Sequence, residues 1–135
     1  MSCPACDGEQ RSFAVPPSLR PYAPDTAARA SLCTTCLRVV AADANGVADA
    51  DADATVEWEP LPTGEAGVAV ALLIGLLDSL ALRRADVTAL LEHAETAGGD
   101  PFLTLDRLSE MAASGPLEPH VDLDRRTAQL ASLVD

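Results

Sequence analysis

The sequence predicts an α+β protein: an N-terminal three-stranded zinc ribbon followed by a small C-terminal four-helix domain. Three observations carry that prediction. Two Cys-x-x-Cys motifs, Cys3-Pro4-Ala5-Cys6 and Cys33-Thr34-Thr35-Cys36, hold all four cysteines of the 135-residue chain. Short apolar runs flank both motifs at strand length. From residue 64 onward the pattern changes to longer segments with helical periodicity and helix-terminal residues at their ends.

Residues 1–42 are read as the ribbon. Each Cys-x-x-Cys turn offers two thiolates, and two such turns together form a tetrahedral sulfur cage of the kind that closed zinc sites use. One structural Zn2+ is therefore expected at Cys3, Cys6, Cys33 and Cys36. Gly8 follows the first motif and can supply the positive φ such a turn often needs. Strands are expected over Arg11 to Val15, Ala28 to Leu32 and Leu37 to Ala41, the last with the β-branched pair Val39-Val40. Pro16, Pro17, Pro21 and Pro24 make the stretch between the first two strands a rigid loop. A segment of about 40 residues seldom folds on its own core, so the metal must supply much of its folding energy.

Residues 43–63 read as an acidic linker rich in Ala and Asp. Asp49-Ala50-Asp51-Ala52-Asp53 has the opening spacing of a calcium loop. Ala54 stands where that loop requires Gly, and Pro60 where it requires Glu, so the calcium reading fails. Thr55 to Trp58 can add a short strand. Trp58, the only tryptophan, is expected to pack against a domain.

Residues 64–135 form the helical domain. Ala66 to Leu82 is apolar on nearly every face and reads as a buried central helix. Its uninterrupted apolar run of 12 residues, Ala66 to Leu77, falls short of the roughly 20 residues a membrane span needs. Val87, Leu90, Leu91 and Ala94 give the second helix a one-sided stripe, which Gly98 and Gly99 end. Asp100 caps a third helix with Pro101 at its first position, and Leu105, Leu108 and Met111 face the core. After Gly115-Pro116, Asp122 opens a last helix carrying Leu123, Leu130 and Val134. Gly67, Ala71, Gly75 and Ser79 recur every four residues on the central helix. The stripe admits close approach of another helix, within the domain by default, with a homodimer through the central helix as the alternative.

Charge narrows the functional classes. The chain has 21 acids, 9 Lys plus Arg and a net charge of −12, yet it is 48% apolar with 3% aromatic residues. All nine cations are arginine. That is too apolar for a disordered acidic chain, and an acidic, lysine-free surface over an aliphatic core suits a protein of a salt-accumulating cytoplasm. Without lysine there is no P-loop lysine, no Schiff-base lysine and no lysine nucleophile. Gly-x-Ser-x-Gly, Gly-x-Gly-x-x-Gly and His-Glu-x-x-His motifs are also absent, so the reading is non-enzymatic. The first motif begins at Cys3, which leaves no basic or apolar leader segment before it. A cytoplasmic location follows as the expectation, where four cysteines favour metal over disulfides.

Both motifs and the apolar helix together also carry a family likeness. The stretches MSCPAC, SLCTTCLR and GEAGVAVALLIGLLDSLAL, with the later LDRL, resemble the small zinc-ribbon proteins of halophilic archaea known only as a domain of unknown function. The likeness extends over nearly the whole chain. It implies zinc and halophily, and no activity.

Rival readings of the same residues are weaker. Thiol redox chemistry goes with a single Cys-x-x-Cys in a βαβ setting, and neither holds here. A catalytic zinc keeps an open position, whereas four cysteines close the site. His93, beside Glu92 and Glu95, reads as part of a solvated face. His120 with Asp122 and Asp124 could bind a metal, but the aspartates serve equally as helix caps. Residues 1–42 carry four arginines against three acids, a net +1, while the rest is −13. Arg11, Arg20, Arg29 and Arg38 are therefore the candidate nucleic-acid contacts. The plainer reading, that they solvate the ribbon or pair with the acidic half, is favoured because molar salt weakens phosphate attraction. A helix-turn-helix about Gly98-Gly99 is disfavoured by Asp106 and Glu110 on the would-be recognition helix. The resulting expectation is a zinc-binding interaction module with a protein partner the sequence does not identify. A nucleic-acid-associated accessory protein is the runner-up.

Overall fold

The computed structural model describes residues 3–42 and 55–134. Three strands, β1 (Gln10–Ala14), β2 (Arg29–Cys33) and β3 (Val39–Ala41), form an antiparallel sheet in the order β1-β2-β3. Four helices follow: α1 (Gly64–Gly75), α2 (Arg84–Thr96), α3 (Pro101–Ser114) and α4 (Leu123–Val134). The α+β architecture is as the sequence predicts, with strand ends displaced by one or two residues.

Pairing fixes which sheet face meets the helices. Phe13 stands opposite Ala30 and Arg11 opposite Leu32, while Leu32 faces Val39 across the other ladder. Since directly opposed residues share a face, Arg11, Phe13, Ala30, Leu32 and Val39 lie inward. Gln10, Ser12, Ser31 and Val40 lie outward, with Ser12 and Ser31 joined hydroxyl to hydroxyl at 2.9 Å. The proline-rich connection expected as a rigid loop contains short 3₁₀ turns at Pro17–Tyr22 and Pro24–Thr26. They bury Leu19 completely.

The inner sheet face and the helices share one hydrophobic core, from Phe13, Leu32 and Leu37 through Leu72, Leu73 and Ile74 to Leu90, Leu105 and Leu108. Its centre is α1, in which every residue from Ala66 to Ile74 is buried. The expected continuation of this helix to Leu82 does not form. After Gly75 the Leu76 N–H turns to the Leu73 carbonyl at 2.9 Å, and a separate 3₁₀ turn spans Leu77–Ser79. Gly75 weakens the helix at that point, and its bare α-carbon lets Val39 of β3 come close. A Cβ there would stand 2.8 Å from the Val39 Cβ. A side chain on Gly67 would strike the Pro62 carbonyl oxygen. Both glycines of the small-residue stripe thus meet atoms of the same chain.

The later part of the expected linker is packed chain: Val56 and Leu61 are buried in the core. Thr55 to Trp58 forms no strand. Trp58 N–H bonds the Val56 carbonyl at 2.9 Å and Leu61 N–H the Trp58 carbonyl at 3.0 Å, a pair of tight turns that sets Trp58 against the core. The Asp49 to Asp53 stretch lies outside the described residues.

Helix ends follow the sequence signals. Asp100 accepts the Leu103 N–H at 3.1 Å, and Asp122 accepts the Arg125 N–H at 3.2 Å. Gly115 ends α3 at φ 109°, a conformation that glycine adopts without strain. On α4, Leu123 and Leu130 are buried, while Val134 at the end of the helix is 40% exposed. Among the described residues no helix is long and apolar enough to cross a membrane.

Candidate metal centre

The two Cys-x-x-Cys turns are built alike. Asp7, after the first, and Leu37, after the second, both sit in the left-handed region at φ 62° and 66°. In the first turn Asp7 N–H returns to the Cys3 carbonyl at 2.8 Å, and in the second Leu37 N–H returns to the Cys33 carbonyl at 3.0 Å. The positive φ expected of Gly8 therefore belongs to Asp7. What Gly8 supplies is space: a Cβ there would lie 2.6 Å from Thr35 Oγ1 and 3.0 Å from Cys33 Sγ. The turns can face each other only because this residue has no side chain. Thr34 ties them further, its N–H and hydroxyl both donating to the Glu9 carbonyl at 2.9 and 3.0 Å.

The sulfurs of Cys3, Cys6, Cys33 and Cys36 all lie within 4.8 Å of one another. Cys3 Sγ is 3.8 Å from Cys36 Sγ, and Cys6 Sγ is 3.5 Å from Cys33 Sγ. Those spacings are far beyond a disulfide bond of about 2.05 Å. They agree with the edge of a tetrahedron about a metal with roughly 2.3 Å metal–sulfur bonds, which is about 3.8 Å. Cys3, Cys33 and Cys36 are buried and Cys6 is exposed. The four cysteines can thus hold a metal ion.

Electrostatics point the same way. The Ala5 N–H, helped by that of Cys6 and by the neighbouring thiols, brings the Cys3 thiol down to about 7 against the burial that opposes it. At Cys6 the Gly8 N–H favours the thiolate, but desolvation and the three other sulfurs outweigh it and push the thiol up to about 12. Burial raises Cys33, although the Cys36 and Thr35 N–H groups partly offset it. One thiolate is cheap in this cage, and further ones repel it. A bound cation removes that repulsion and displaces the protons.

One functional contact escapes sequence reasoning. The connection between α3 and α4 crosses to the second Cys-x-x-Cys turn and bonds its backbone. Glu118 N–H donates to the Thr35 carbonyl at 2.8 Å, and His120 N–H to the Cys36 carbonyl at 3.0 Å. His120 Nδ1 also lies 2.8 Å from that carbonyl oxygen, so it carries the proton, since a carbonyl only accepts. Its Nε2 is 3.8 Å from Asp78 Oδ2. His120 thus supports a candidate ligand through its backbone and joins no metal cluster with Asp122 or Asp124. His93 lies against Glu65 of α1, Nε2 to Oε2 3.4 Å, and not among its own helix neighbours.

The four arginines singled out by charge do not converge. Arg11 is on the inner sheet face and pairs with Glu9 at 2.8 Å. Arg20, in the 3₁₀ turn, donates from Nε to the Val15 carbonyl at 3.2 Å. Arg29 is half-buried on β2, and Arg38, just before β3, is exposed.

Fold and site together define a small α+β protein with a four-cysteine cluster able to hold a metal ion. The chain belongs to the family of unknown function DUF6276, which matches residues 2–134. No curated protein and no solved structure matches it.

Proposed function

We propose that the protein is a zinc-binding, non-enzymatic protein-interaction module of a halophilic cytoplasm. The carrying observation is the cage of Cys3, Cys6, Cys33 and Cys36, whose sulfur separations of 3.5 and 3.8 Å suit a tetrahedral ion. An all-thiolate set selects a soft or borderline ion, and zinc is the usual occupant of closed Cys₄ sites. Four protein ligands complete the tetrahedron and leave no position for a substrate, so the ion's work is structural. The likeness to haloarchaeal zinc-ribbon proteins and a lysine-free chain of net charge −12 support the salt-adapted setting. Elemental analysis of the purified protein tests the metal: one zinc per chain is expected, lost in Cys33→Ser. A folded chain carrying no metal, with its cysteines in disulfides, refutes it.

A second reading, contact with nucleic acid, is favoured by one observation. Residues 1–42 carry four arginines against three acids, in a chain whose remainder is strongly acidic. Copurification from native cells at high salt separates the two: protein partners support the first reading, RNA or DNA the second.

A further inference from the structure

A groove of about 870 Å³ lies between β1, the turns at residues 57–60 and α3. Its size falls near the upper end of the roughly 300–1,000 Å³ of ordinary binding sites. Trp58 and Met111, both half-buried, form its apolar lining together with Pro60 and Pro116. Around them stand Glu57, Glu59 and Glu110, all exposed. None of the three is engaged in an ion pair among the described residues. Two cations also line the groove, but Arg11 is already paired with Glu9, which leaves only Arg107 against three carboxylates.

We infer that this groove binds an arginine-bearing segment of a partner protein, an inference that rests on the interaction-module reading and names the partner's chemistry. An indole face beside uncommitted carboxylates suits a guanidinium group in particular. The planar cation stacks on tryptophan while its forked N–H groups meet a carboxylate two at a time. Met111 adds an adaptable apolar surface for a neighbouring aliphatic side chain. The three walls come from separate parts of the chain, and an extended segment can touch all three.

Because Trp58 is the only tryptophan, its fluorescence reports on this groove and on the core behind it. The zinc-loaded full chain is titrated in molar KCl with a capped pentapeptide carrying two arginines and a leucine. Salt at that level cuts the Debye length to about 3 Å, so binding that persists comes from contact and not from the overall charge. A saturable change in Trp58 emission is expected, at least tenfold weaker in Glu57→Gln/Glu110→Gln and absent with citrulline in place of arginine. Equal binding of the citrulline peptide, or an undiminished response in the double variant, overturns the inference. So does binding of free arginine as tight as that of the peptide, which would make the groove a small-cation site. An emission change on concentrating the protein without peptide would assign the groove to a second copy and overturn it too. Zinc content and circular dichroism are measured on the same samples. A loaded, folded protein that ignores the peptide refutes the groove alone, and copurified partners would still stand for the broader reading.

Discussion

Replacing His120 with alanine tests whether the helical half holds the metal turn in place. The ring is largely but not fully buried, its side chain 13% exposed, and its Nδ1 donates to the Cys36 carbonyl at 2.8 Å. In His120→Ala that carbonyl keeps the His120 backbone N–H at 3.0 Å, so no acceptor is orphaned. The loss is one net hydrogen bond, about 0.5–1.5 kcal/mol, plus the packing of the ring. A total of about 1–2 kcal/mol is expected, which corresponds to a factor of about 5–30 in an equilibrium. The Cys36 carbonyl sits one bond from the Cα of a candidate ligand, so much of this cost should fall on metal retention. Competition against a chromogenic chelator measures that directly. Thermal melts of the loaded form should fall by about 3–6 °C per kcal/mol at this chain length. His120→Asn can offer its amide N–H where Nδ1 stood and should recover part of both. An alanine variant with wild-type metal affinity and melting point refutes the reasoning. Asparagine behaving like alanine would shift the effect from the hydrogen bond to packing.

Three further outcomes are expected. Gly8→Ala drives a Cβ to within 2.6 Å of Thr35 Oγ1 and 3.0 Å of Cys33 Sγ, an overpacking cost of about 1–3 kcal/mol; the cobalt-substituted protein should lose its tetrahedral thiolate absorption, and an unaltered spectrum would show that the turns need no such approach. In the metal-free form, its fold verified by circular dichroism, ultraviolet thiolate absorbance should rise by one group near pH 7, since Cys3 is lowered from 9.0 to about 7 and Cys6 raised to about 12. The sign follows: the Cys3 contribution to stability is present above pH 9 and lost as pH falls through 7, and a single step near 9 for all four thiols would contradict it. Finally, with a net charge of −12, stability should rise with KCl into the molar range as acid–acid repulsion is screened, and an unchanged melting point between dilute buffer and molar KCl would count against salt adaptation.

What the sequence disclosed divides by the range of the interactions concerned. The cysteine cage was legible because each pair is local and its spacing is a chemical requirement. Asp100 and Asp122 were legible as caps for the same reason, since a cap acts within three residues. The early end of α1 was not, because it depends on Gly75 meeting Val39 of a distant strand. Gly8 shows the limit most clearly. Its importance was visible, but its role was misassigned to backbone conformation, because the crowding comes from Thr35 across the cage. His120 was noticed only as a possible ligand beside Asp122 and Asp124, since nothing around Pro119 and Val121 indicates that the ring ends at a carbonyl 84 positions earlier. Val56 and Leu61 were hidden by acidic neighbours that made their segment read as linker.

The span between Cys36 and His120 also sets an order of events during synthesis. All four sulfurs have been made once Cys36 is added, yet the brace on that turn is 84 residues downstream. At about 5–20 residues per second, the interval is roughly 4–17 s. During it an ion that the thiols could hold would meet a turn not yet braced by the α3–α4 connection. An ion entering the newborn cage would thus meet a looser receptor than the finished one, and the His120 brace is the last part of the site to be made.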